Sequence, residues 1–188
     1  MNHNTSIVPG SISAIAQSTG KPIAVLFSEA EVVTIVDVSG SMSSYDSRNG
    51  KSRYTVACEE LAQIQKNRPG KVAVIAFSST ALFCPGGIPE FEMGGTNLAN
   101  ALRYAKIADV PGMNIIVISD GEPDSEREAL AVATTYKNKI STIYCGPENK
   151  PYGREFLNQL AKATGGSSLT SDRAMELGKT IETLLLKG

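Results

Sequence analysis

Residues 31–42 read EVVTIVDVSGSM. Val32, Val33, Thr34, Ile35 and Val36 form an unbroken β-branched run, which predicts a strand buried on both faces of a parallel sheet. Asp37, Ser39 and Ser41 follow at alternate positions just past its C-terminal end. In an open α/β sheet that edge is where ligands bind. One carboxylate and two small hydroxyls are hard oxygen donors, suited to Mg2+, Mn2+ or Ca2+.

A shuffled chain with the same six Asp and 19 Ser in 188 residues would hold Asp-x-Ser-x-Ser only about 0.06 times, so the triplet stands well above chance. Two distant segments join it. Gly94-Gly95-Thr96-Asn97-Leu98 opens a helical pattern with Thr96 at its start, and Ile115-Ile116-Val117-Ile118-Ser119-Asp120-Gly121 is a second apolar strand ending in Asp then Gly. With these residues in this order the chain resembles the von Willebrand factor A (VWA) domain and its metal-ion-dependent adhesion site (MIDAS). The resemblance covers about residues 31–188. In its compact, leaderless form the chain is most similar to the family's intracellular bacterial and phage-type members.

That resemblance implies one Mg2+ (or Mn2+ or Ca2+) per chain. Ser39 and Ser41 would coordinate directly, Thr96 directly or through water, and Asp37 and Asp120 largely through waters. Two carboxylates against a divalent ion make a roughly neutral site without a strong direct anionic ligand, which an Asp or Glu of a protein partner would supply. The implied function is a divalent-metal-dependent protein–protein interaction module, by family analogy an accessory subunit of an AAA-type ATPase or stress-response system. Each segment also has a plainer reading. Ser-Gly-Ser is a common turn, Thr96 a ready N-cap, and Asp120-Gly121 a frequent turn pair. Their convergence on one sheet edge favours the site.

The rest of the chain alternates in period. Helices are expected over 11–19, 22–27 (a short strand being the alternative for this segment), 53–67, 97–108, 126–137, 154–163 and 174–186, and strands over 32–38, 71–78, 81–84, 114–119, 140–144 and 168–170. Such alternation implies a doubly wound α/β fold: a mostly parallel six-stranded sheet, one antiparallel edge strand from the 71–84 hairpin, and helices on both faces. Residues 1–30 are expected as an N-terminal helical extension ahead of the VWA domain at 31–188. Asp37 is expected to face solvent. Glu122 and Asp124 read as an acidic cap on the helix that follows. Tyr45, Arg48, Gly94 and Gly95 are candidates for shaping a partner surface.

A net charge of −1 gives no electrostatic footprint for nucleic acid or an anionic membrane. Lys137 and Lys139 read as helix C-terminal charges. No targeting segment or long apolar span is apparent, so the expectation is a soluble, cytoplasmic protein. Cys58, Cys84 and Cys145 lack metal-like spacing and read as small buried thiols in a reducing compartment. An alternative class, a Mg2+-dependent phosphotransferase or hydrolase, also sets an Asp at the end of its first strand. Here His3 is the only histidine, position 39 is Ser where dehalogenase-type phosphatases carry a second Asp, and no phosphate-binding loop with Lys is present. A Ser39 or Ser41 nucleophile would lack an evident base. The expectation is therefore not an enzyme, with a structural subunit carrying an unused metal site as a third class.

Overall fold

A computed structural model describes residues 7–147, 149 and 151–170. Along them run α1 Ile12–Thr19, α2 Ile23–Ser28, β1 Val32–Asp37, α3 Arg53–Asn67, β2 Val72–Phe77, β3 Ala81–Phe83, α4 Leu98–Ala105, β4 Asn114–Ser119, α5 Glu126–Ala133, β5 Ile140–Tyr144, α6 Pro151–Thr164 and β6 Ser168–Thr170. The helix expected at 174–186 and the lone His3 lie outside the described residues.

The strands form one sheet in the order β3-β2-β1-β4-β5-β6. Every pairing is parallel except β2 with β3, so the mostly parallel six-stranded sheet with an antiparallel edge is the one the sequence implies. From β1 the chain runs to β2 and β3 on one side, then crosses to β4 on the other. The carboxyl ends of β1 and β4 therefore flank a topological switch point, where such sheets bind ligands. Val36 pairs with Ile118, and this register carries Asp37 and Asp120 out of the sheet beside one another.

Side chains of opposite parity leave a strand on opposite faces. Val33, Ile35, Ile75, Phe77 and Val117 pack with Leu98 and Leu102 of α4 and Leu157 and Leu160 of α6. Val32, Val36, Val74, Ile116 and Ile118 meet Ala57, Leu61 and Ile64 of α3 on the other face. Helices thus cover both faces. Ile12 of α1, Leu26 of α2 and Ala30 beyond it join the first cluster, while Ile23 and Val25 of α2 stay exposed.

Local chemistry sets the helix ends. Ser52 caps α3 by accepting from Thr55 N–H, and the chain turns away at Pro69-Gly70 with Gly70 at φ +72°, a conformation that suits glycine. α5 stops at Ala133, short of the 126–137 pattern. The reason is Asp109, whose carboxylate accepts from the backbone N–H of Lys137 (2.8 Å) and Asn138 (3.0 Å) and from Asn138 Nδ2 and Lys106 Nζ (2.7 and 2.8 Å). Lys137 and Lys139 consequently lie beyond the helix rather than at its end. Burial pushes the Asp109 carboxyl up, but the hydrogen bonds from Lys106, Lys137 and Asn138 win and hold it at about 2. Asp109→Ala is expected to lower stability by about 2 kcal/mol, because it strands several donors. The ionic contribution exists above the unfolded value of 3.8 and is lost as pH falls toward 2. Urea denaturation of parent and variant should therefore converge in that window.

Candidate metal centre

β1 ends on Asp37, which is fully buried. Its Oδ1 accepts from the backbone N–H of Ser39 at 2.9 Å, which turns the chain, and its Oδ2 accepts from Ser119 Oγ of β4 at 2.7 Å. Ser119 Oγ in turn accepts from Gly121 N–H at 2.9 Å. Asp37 does not face solvent as the sequence suggested. It is still in register with Phe77 of β2, and neighbouring strands wall it in on both sides. Ser39, also buried, leads into a 3-10 turn over Gly40–Ser43 that is pinned by fully buried Met42. The turn sets Ser41 Oγ 3.2 Å from Ser39 Oγ.

A weak Gly40 N–H to Gly94 O bond (3.4 Å) ties that turn to the loop before α4. Thr96 is 7% exposed in this loop. It is not the cap of α4: Asn97 is, through Oδ1 accepting from Asn100 N–H. That leaves the Thr96 hydroxyl out of the helix end. Thr96 is instead clamped through its backbone, its N–H donating to Asp124 Oδ1 (2.8 Å) and its carbonyl accepting from Asp124 N–H (2.9 Å). Asp124 therefore positions Thr96, and Ser125 caps α5.

Asp120, at 1% exposure, follows β4. Its Oδ2 accepts from Arg53 Nη1 at 2.6 Å. Its Oδ1 is buried with no hydrogen-bond partner. Arg53 opens α3 and also donates from Nε and Nη2 to Asp46, both at 2.8 Å. Arg48 turns toward α3, where it pairs with Glu60 at 2.8 Å and Glu59 at 3.3 Å. Tyr45 and Met93 stand exposed on the loops at this edge.

Burial pushes the Asp37 carboxyl up to about 6, and the neighbouring charge of Asp120 adds to it. Hydrogen bonds from Ser39 and Ser119 limit the rise. Asp120 is paired with Arg53 through Oδ2, whereas Asp37 has only hydrogen-bond donors to offset its burial. Among the described residues no three or more His, Cys, Asp or Glu side chains gather as metal ligands. The candidate donors are two carboxylates and three hydroxyls, and they fit a divalent cation. They are hard oxygens, and the orphaned Asp120 Oδ1 is an acceptor that a cation or its water would satisfy. Cys58, Cys84 and Cys145 are free thiols, and burial pushes all three up in pKa, which keeps them unreactive.

No protein-family model matches the sequence, and no curated protein matches it. Solved structures match it in fold. An aerotolerance-related membrane protein from Bacteroides fragilis NCTC 9343 superposes with a TM-score of 0.66 at 18% identity, over 85% of this chain and 100% of that one. Manganese-loaded TRAP from Plasmodium vivax gives 0.56 at 15% identity, over 80% of this chain and 72% of that one. A von Willebrand factor type A protein from Catenulispora acidiphila gives 0.53 at 16% identity, over 80% of this chain and 41% of that one. The chain therefore has the von Willebrand A fold. Among the described residues no helix is long and apolar enough to cross a membrane.

Proposed function

We propose that Asp37, Ser39, Ser41, Thr96 and Asp120 hold one Mg2+ or Mn2+ in the manner of a MIDAS, and that the ion docks a carboxylate of a protein partner. The observation that carries this reading is the buried, partnerless Asp120 Oδ1 beside the raised carboxyl of Asp37, at the switch point of the sheet. A bound ion would supply a Lewis-acidic place for an incoming Asp or Glu oxygen. The chain's own groups do the rest. Asp37 fixes the Ser39 turn, Ser39 and Ser41 present paired hydroxyls, and Asp124 holds Thr96 in the loop before α4. The reading is of a binding module and not of an enzyme, acting in the cytoplasm, where free thiols persist. That one structural neighbour is manganese-loaded makes Mn2+ a sensible probe.

Calorimetry of the full chain should show saturable binding of about one Mn2+, removed by EDTA without unfolding. Thr96→Ala should weaken Mn2+-dependent partner capture by about tenfold or more while leaving the urea midpoint nearly unchanged, since the clamp to Asp124 uses the Thr96 backbone. A partner retained equally in EDTA and by Thr96→Ala would defeat the docking mechanism.

A further inference from the structure

We propose that Arg53 is the positioning residue of this centre: it closes one oxygen of Asp120, so that the ion keeps a coordination place for a ligand from outside. The inference rests on the metal-docking reading above. The guanidinium is 3% exposed and bound to two acids from different segments, to Asp46 through Nε and Nη2 and to Asp120 Oδ2 through Nη1. Backbone on either side fixes it. Arg53 N–H donates to Ser44 O at 3.1 Å, and Ser47 Oγ anchors the Asp46 loop to Cys145 O at 2.7 Å. A planar fork held this way cannot swing aside.

Two consequences follow for an ion at the site. Oδ1 is the oxygen of Asp120 left to offer, directly or through water, and the Arg53 bond at Oδ2 opposes a grip on the ion with both oxygens. A fixed positive charge also stands behind Asp120, so the two acids neutralise the ion less completely than their count suggests. Both effects lower the intrinsic grip on the metal and favour an added anion. Lysine would not substitute, because one ammonium cannot hold both acids in this geometry.

The test is Arg53→Met in the full chain, titrated with Mn2+ and followed by electron paramagnetic resonance and water-proton relaxation. The expected result is Mn2+ binding tighter by about tenfold. Ion-bound waters should fall by about one as Asp120 gains its second oxygen, and acetate should displace water from the bound ion about tenfold less readily. Should Arg53→Met not fold, Arg53→Gln, which keeps a donor amide but no charge, decides the matter. Removing the positive charge behind Asp120 should tighten Mn2+ by about threefold. Unchanged affinity and water count in the variant that folds, or weaker Mn2+ binding as a purely structural arginine would give, overturns the proposal alone. A parent chain that binds no Mn2+ overturns the metal-docking reading, and this inference with it.

Discussion

Asp37→Asn is expected to abolish Mn2+ binding and, in the presence of chelator at neutral pH, to make the chain more stable by about 2 kcal/mol. The two effects have one origin. Asp37 is fully buried at the end of β1, where burial and the charge of Asp120 oppose its ionised form. An amide keeps the shape and lets Oδ1 accept from Ser39 N–H, while its Nδ2 faces Ser119 Oγ. It removes the charge that makes this position costly without a cation. A ligand-binding site that lowers the stability of its unliganded fold is the expected consequence of gathering acids in the interior.

The sign of the pH dependence follows directly. The folded value of about 6 lies above the unfolded value of 3.8, so the folded chain holds this proton more tightly. The resulting stabilisation is complete below 3.8 and lost as pH rises through about 6. Urea midpoints of parent and Asp37→Asn in EDTA should therefore diverge across that window and stay apart above it. Ion and proton compete for the carboxylate, so Mn2+ affinity of the parent should fall as pH drops through about 6. A variant less stable than the parent in EDTA at neutral pH would show instead that the ionic hydrogen bonds from Ser39 and Ser119 outweigh burial.

The sheet was legible because its information is local. β-branched runs mark β1 and β4, the 71–84 hairpin marks the antiparallel edge, and Ser52 and Pro69-Gly70 bracket α3. The Asp37-Ser39-Ser41 turn is local too, which is why its donors can be read by eye. What holds those donors is not local. Ser119 reaches Asp37 across 82 residues, Arg53 reaches Asp120 across 67, and Asp124 reaches Thr96 across 28. Arg53 reads in sequence as the unremarkable first residue of a helix, Asp46 as part of a turn-rich loop, and Asp124 as an acidic cap. The early end of α5 has the same cause. Its apolar pattern continues through Tyr136, but Asp109 captures the following backbone N–H groups, and Tyr136 donates its hydroxyl to Leu102 O from outside the helix.

Gly153→Ala is expected to reduce stability by about 3 kcal/mol and to weaken Mn2+ binding, although alanine is the better helix former by about 1 kcal/mol. A Cβ at Gly153 would lie 1.9 Å from the carbonyl oxygen of Asp120, and one at Gly121 would lie 2.0 Å from the carbonyl oxygen of Gly153. The first turn of α6 therefore rests on the very peptide that carries Asp120. Both obstructing atoms are backbone, so relief requires moving α6 or the end of β4 rather than rotating a side chain. Gly121 adopts φ +76°, so alanine there adds backbone strain to the collision. Gly153 carries no positive φ and isolates the packing effect. Displacing Asp120 shifts its carboxylate relative to Asp37 and disturbs the Arg53 bond at once. The metal should then bind less well, opposite to the tightening expected of Arg53→Met, although both changes strike the same carboxylate. Urea denaturation and Mn2+ titration of the two variants side by side distinguish loss of position from loss of the opposing charge. A Gly153→Ala chain at least as stable as the parent, with unchanged Mn2+ affinity, would mean that α6 does not hold Asp120 in place.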